Sequence, residues 1–122
     1  MDKTLMQAVF ILNDPPYGTE RAYNGLRLAH AIAKKDPEAQ ITVFLAADAI
    51  TAAKRGQKTP DGYYNLERMV KRFATGAHSL LLCGSCMEAR GLGEADLIEG
   101  ARRSSMDELA AEMIAANKTL VF

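Results

Sequence analysis

Cys83-Gly84-Ser85-Cys86 contains both cysteines of the chain and directly follows the apolar run Leu80-Leu81-Leu82. A thiol there sits where a buried strand surfaces, which is where α/β proteins usually place their chemistry. The next residues, Met87-Glu88-Ala89-Arg90, are good helix formers, so the thiols fall at or near a helix N-terminus. Backbone N–H groups and the positive end of the helix dipole favour a thiolate there, and the thiolate is the nucleophile. Sulfur transfer, dithiol redox chemistry, metal binding and inert packing are all open to such a pair. Gly84-Ser85 reads as a loop signature, which weighs against inert packing.

Zinc fits poorly. It needs about four ligands, and only His30 and His78 are available to join the cysteines. If a strand begins at His78, that residue lies about 16 Å from Cys83 at roughly 3.3 Å per residue. His30 falls within a helical stripe with no partner spacing, so both histidines read as surface or capping residues. No metal and no cofactor is expected. A thioredoxin-type dithiol is also disfavoured. That fold carries a proline facing its cysteines from later in the chain, whereas Pro15, Pro16, Pro37 and Pro60 all precede Cys83, and 36 residues follow Cys86. Gly91-Leu92-Gly93 is no dinucleotide fingerprint, because Asp96 stands where the third glycine belongs and no strand precedes it.

The elements that must position the thiols are legible on either side. Leu5 to Leu12 is nearly continuous apolar sequence stopped by Asn13-Asp14-Pro15-Pro16, the pattern of a buried parallel strand. Gly18 or Thr19 is placed to cap a helix whose stripe is Ala22, Leu26, Ala29 and Ala33. Ile41 to Leu45 is a second strand, followed by a short helical piece, Ala49 to Lys54, and a polar loop, Gly56 to Gly62. Leu66, Met69, Val70 and Phe73 follow helical spacing, with Tyr63-Tyr64 packing at its start and Gly76 closing it. Ser79 to Leu82 leads to the cysteines. A weak fourth strand is read at Leu97 to Ala101. Ser105-Met106-Asp107-Glu108 is a capping box before the stripe Met106, Leu109, Ala110 and Met113, and Thr119 to Phe122 is a last strand. Strands alternating with helices predict a three-layer α/β/α fold with a mostly parallel sheet of about five strands, in one domain over residues 1–122. All strand C-termini of such a sheet share one edge. The loops carrying Asn13 and Asp14, Asp48 and Lys58, and Cys83 to Arg90 are therefore expected to converge there, although charged loop residues are also commonly just solvated.

Composition narrows the partners. The chain has 122 residues, 48% hydrophobic and 25% charged, with fifteen basic residues balancing fifteen acidic ones. That balance supplies no field for nucleic acid or an anionic membrane, and no apolar stretch approaches a membrane span. Met1-Asp2-Lys3-Thr4 lacks the apolar region of a secretory leader, and two close cysteines suit a reducing compartment, so a cytoplasmic location is expected.

The chain resembles the DsrE/DsrF-like sulfur-relay family, which includes TusD-type sulfurtransferase subunits and stand-alone homologues. The likeness runs nearly end to end. It passes through Asn13-Asp14-Pro15-Pro16-Tyr17-Gly18, Arg21 to Ala33, Phe44-Leu45 to Asp48-Ala49 and Gly56-Gln57-Lys58-Thr59-Pro60. It continues through Cys83 to Gly91, Glu99-Gly100, Ser104 to Leu109 and Leu120-Val121-Phe122. The resemblance implies a parallel sheet with helices on both faces, homo-oligomers that are commonly trimers or hexamers, and sulfur carried as a cysteine persulfide between a donor and an acceptor thiol protein. The family's carrier cysteine ends the third strand, eight residues before the glycine of an Arg-Gly pair. Cys83 stands in that relation to Arg90-Gly91, so the resemblance implies the carrier role for Cys83. Cys86 matches no residue the relay subunits need, and is either a resolving thiol or a tolerated one. Asn13, Asp14, Asp48, Lys58, Gly84, Ser85 and Arg90 are the expected site-lining residues. A non-catalytic oligomeric module with a small-ligand pocket at the same edge, or a dithiol redox protein using Cys83 and Cys86, stands as the alternative.

Overall fold

The computed structural model of the chain describes residues 4–122; the reading of Met1-Asp2-Lys3 as leaderless lies outside them. Three strands come from the three apolar runs: β1 (Gln7–Leu12), β2 (Gln40–Leu45) and β3 (Ser79–Cys83). Their side chains alternate between faces, and both faces are largely buried, which is why the runs read as continuous rather than alternating. Ala8, Phe10, Leu12, Ile41, Val43, Leu45, Leu80 and Leu82 point into the larger core, and Val9, Phe44, Leu81 and Cys83 into a smaller one on the opposite face.

The larger core is covered by α1 (Arg21–Lys35), a 3-10 helix (Ala47–Ala53) and α2 (Leu66–Lys71). The predicted stripe of α1 is buried, together with Gly25. A Cβ on Gly25 would come within 2.7 Å of Leu12 Cδ2, so the missing side chain lets the helix settle directly on β1. Asn65 caps α2 by accepting from the Arg68 N–H. Tyr63 and Tyr64 precede that helix instead of packing along it; Tyr64 stacks with Tyr17, Tyr23 and Tyr63, and Tyr63 lies tilted against Tyr17.

Beyond β3 come α3 (Gly84–Ala89), β4 (Ala101–Ser104), α4 (Met106–Ala115) and β5 (Lys118–Val121). The sheet order is β4-β3-β2-β1-β5 and every pairing is parallel, giving a five-stranded three-layer α/β fold. The fourth strand is not at Leu97 to Ala101. Leu97 and Ile98 are buried because they lean on the end of the 3-10 helix, through a bridge to Lys54 and a bond from the Ile98 N–H to the Ala53 carbonyl. The strand itself is Ala-Arg-Arg-Ser at the sheet edge, where outward arginines are tolerated. Ser105 caps α4 as predicted, accepting from the Glu108 N–H, but the Glu108 carboxylate turns to Ser104 Oγ and Arg102. Of the expected α4 stripe only Leu109 is buried; Met106 is 58% and Met113 41% exposed.

Candidate functional site

Cys83 is the last residue of β3 and the N-cap of α3, so the strand passes into the helix with no intervening loop. Gly84 and Ser85, read as loop residues, form the first turn of α3. The Arg103 guanidinium lies over Gly84: a Cβ there would stand 2.8 Å from Arg103 Nε, so the tip of that exposed side chain would have to shift. Arg103 is held in place by Glu88 at 2.7 Å.

Cys83 Sγ lies 3.3 Å from Ser85 Oγ, and its side chain interacts with that of Cys86. Burial pushes the Cys83 thiol up. The Cys86 side chain and the Ser85 hydroxyl, followed by the backbone N–H groups of both residues, outweigh burial and hold it below the ordinary thiol range. Cys86 is displaced the other way, first by Cys83 and then by burial, with the Ala47 N–H and the Arg90 charge opposing. The two thiols are thus unequal. Cys83 is shifted toward the thiolate and Cys86 toward the thiol. Cys83 is also the more buried, at 4% exposure, and neither is in a disulfide.

The start of the 3-10 helix after β2 lies against Cys86. The Ala47 N–H donates to Cys86 Sγ at 3.2 Å, from a backbone with φ of +51°, a left-handed conformation that costs an alanine strain. Arg90 reaches the same 3-10 helix. Gly91, at φ +65°, ends α3 with bonds from the Gly91 N–H to the Glu88 carbonyl and from the Leu92 N–H to the Met87 carbonyl. This Schellman ending makes Arg90 the C-cap, and its side chain turns back along the helix. Arg90 Nε donates to Asp48 Oδ1 at 2.9 Å and Nη1 to the Cys86 carbonyl at 3.2 Å. Cys83, Cys86, Gly84, Ser85, Asp48 and Arg90 therefore form one connected site.

Asn13, Asp14 and Lys58 do not join these contacts. The Asn13 backbone N–H and Nδ2 both donate to the Phe122 carbonyl, tying β1 to the C-terminal strand. Asp14 accepts from Thr19 Oγ1 and pairs with Arg21 at 3.7 Å, serving the entry to α1. Lys58 is exposed and makes no hydrogen bond or ion pair among the described residues. Its loop is anchored by Gln57, whose Nε2 donates to the Thr51, Ala52 and Lys54 carbonyls and whose Oε1 accepts from the Tyr17 hydroxyl. The histidines are not surface residues. Both are half-buried against Phe73; His30 Nε2 lies 2.8 Å from the Met69 carbonyl oxygen, and His78 Nδ1 accepts from the Ile41 N–H. Burial, with help from Arg72, pushes His78 down. Among the described residues no three His, Cys, Asp or Glu side chains are gathered where they could hold a metal ion. A cavity of about 190 Å³ opens at the other edge of the sheet, lined by Gln7, Gln40, Thr42, Ser79 and Glu112, away from the cysteines. No described helix is long and apolar enough to cross a membrane.

The sequence reading missed Ala47 and Arg103. Nothing in an alanine announces a left-handed φ, and Arg103 lies beyond Leu97 to Ala101, where the fourth strand was expected. A better signal was Gly84 itself, since a glycine opening a helix implies close approach by another group.

Comparison with known proteins agrees with this fold. The sequence model of the DsrE/DsrF-like family matches residues 6–122. Protein YchN of Escherichia coli (strain K12) is 35% identical, over 97% of this chain and all of that protein. Protein MJ0989 of Methanocaldococcus jannaschii is 34% identical, over 96% of this chain and all of its own. The crystal structure of the E. coli ychN protein superposes with a TM-score of 0.90, covering 97% of this chain and 100% of that one at 35% identity. A Methanobacterium thermoautotrophicum protein, MTH1491, shares the fold at a TM-score of 0.77 and 13% identity, over 96% of this chain and 99% of its own.

Proposed function

Because the chain belongs to the DsrE/DsrF-like family, we propose that it carries sulfane sulfur as a persulfide on Cys83 and passes it to an acceptor thiol. The observation that supports this most is the inequality of the two thiols. The cysteine ending β3 is the one whose thiolate is favoured by Ser85, Cys86 and the first N–H groups of α3, despite its burial. Loading begins when the Cys83 thiolate attacks the outer sulfur of a donor persulfide, R–S–SH, and R–S⁻ leaves. The product is Cys83–S–SH. An acceptor thiolate then attacks that outer sulfur, and the Cys83 thiolate departs. Both steps exchange one sulfur–sulfur bond for another, with no net oxidation.

Donor and acceptor are thiol proteins in this reading, and the compartment is the cytoplasm. Self-assembly into a trimer or hexamer is part of the same proposal. The exposed Met106, Met113 and Ile114 of α4 leave apolar surface for a second copy to cover. Met113→Glu is expected to lower the mass measured by sedimentation; an unchanged mass removes α4 from the interface. Uptake of labelled sulfur from a small persulfide donor tests the carrier role. Cys83→Ser is expected to abolish it. Uptake at the wild-type rate in Cys83→Ser, or its loss in Cys86→Ser alone, refutes the assignment.

A further inference from the structure

The second thiol is too well held to be a bystander. Cys86 sits within the first turn of α3 with its sulfur engaged by the Ala47 N–H at 3.2 Å. The guanidinium of Arg90, fixed between Asp48 and the Cys86 carbonyl, adds positive charge beside it. Both contacts favour a Cys86 thiolate. We propose that Cys86 acts on the loaded protein, attacking the inner sulfur of the Cys83 persulfide to release hydrosulfide and close a Cys83–Cys86 disulfide. The site is then a persulfide reductase as well as a carrier. This inference rests on the carrier reading.

The reaction balances within the chain. Cys86–S⁻ bonds to Cys83 Sγ, the Sγ–SH bond breaks, and the electron pair leaves on HS⁻. The sulfane sulfur is reduced by two electrons as the two cysteines are oxidised. A dithiol reductant reopens the disulfide for another turn.

In the unloaded protein Cys83 itself opposes a Cys86 thiolate. Once Cys83 Sγ is bonded to a second sulfur, its charge passes to the outer sulfur, one bond farther along, while the Ala47 N–H and Arg90 stay beside Cys86. The pair needs little movement, because a Cys-x-x-Cys opening a helix is a spacing at which dithiols close, and the two side chains already interact.

The test loads the full-length protein with glutathione persulfide, removes the excess donor, and incubates it anaerobically without thiol. Sulfide is assayed, and intact and tandem mass spectrometry follow the protein. Wild type is expected to lose the added sulfur as sulfide in equal molar amount, at a rate independent of protein concentration. It should end two hydrogens lighter than its reduced form, with Cys83 joined to Cys86. Cys86→Ser and Cys86→Ala are expected to hold the added sulfur on Cys83 at least ~10-fold longer. Decay as fast in both variants as in wild type, or a stable wild-type persulfide, overturns the inference while leaving the carrier reading intact. Absence of any sulfur on Cys83 in all three proteins overturns the carrier reading and this inference with it.

Discussion

Ser85→Ala removes one donor from Cys83 while leaving the rest of the site in place. Ser85 is exposed, so its hydroxyl can be deleted without opening a cavity, and among the described residues its side-chain hydrogen bond is the 3.3 Å approach to Cys83 Sγ. A hydrogen bond to a charged group contributes about 1.5–3 kcal/mol when well shielded, and solvent beside an exposed donor replaces part of that, leaving about 1 kcal/mol. That is about a fivefold smaller thiolate fraction at neutral pH. The variant thiolate is more basic and hence more nucleophilic, by about twofold at a Brønsted slope near 0.45. The net expectation is alkylation of Cys83 slowed about 2.5-fold at neutral pH, and made equal or slightly faster at a pH high enough to ionise both proteins fully. The assay is the iodoacetamide rate at Cys83 against pH, with tandem mass spectrometry separating Cys83 from Cys86. An unchanged rate at neutral pH refutes the argument that Ser85 favours the thiolate. Equal slowing at every pH refutes it differently, since that pattern reports access instead of ionisation.

Two further predictions concern the frame around the site. Gly100 has φ of +88° and a Cβ there would lie 2.3 Å from the Ala74 carbonyl oxygen, so Gly100→Ala combines backbone strain with a main-chain clash. It is expected to cost at least ~2 kcal/mol in urea unfolding, and a loss under ~1 kcal/mol contradicts the close approach of Gly100 to the Ala74 main chain. Glu108 is held below the ordinary carboxylate range by Ser104 and then Arg102. Its stabilising contribution is complete above the unfolded carboxylate pKa of about 4.3 and is lost as pH falls through the lower folded value. With the side chain 35% exposed, Glu108→Gln is expected to cost only about 0.5–1 kcal/mol at neutral pH, and the deficit should vanish in strong acid. A deficit that persists undiminished in acid argues that the carboxylate charge is not what Ser104 and Arg102 recognise.

The parts of this molecule that were legible in the sequence are those where one force dominates. Leu80-Leu81-Leu82 and its counterparts in β1 and β2 are buried on both faces, so hydrophobicity alone marked them. The position of Cys83 followed from the end of that run. β4 was misplaced because its residues obey a different rule. At an edge, backbone pairing with β3 makes the strand, while Arg102 and Arg103 spend their side chains on Glu108 and Glu88. The apolar Leu97 and Ile98 drew the reading toward themselves, yet they are buried by the 3-10 helix end. The α4 stripe is the converse case, since Met106 and Met113 follow helical spacing without being covered within the chain, and spacing alone does not tell a core face from an uncovered one. At the site, residue type pointed to the thiols, Ser85, Asp48 and Arg90. The Ala47 N–H was invisible because a main-chain donor acts through φ and ψ, whatever the side chain.

The carrier assignment is tested most directly by locating the sulfur. Wild type, Cys83→Ser and Cys86→Ser are exposed briefly to glutathione persulfide, quenched with an alkylating agent, and read by intact and tandem mass spectrometry. One added sulfur mapping to Cys83 in Cys86→Ser, with none retained by Cys83→Ser, is the predicted result. Sulfur appearing on Cys86 in Cys83→Ser as readily as it loads the wild type would contradict the account.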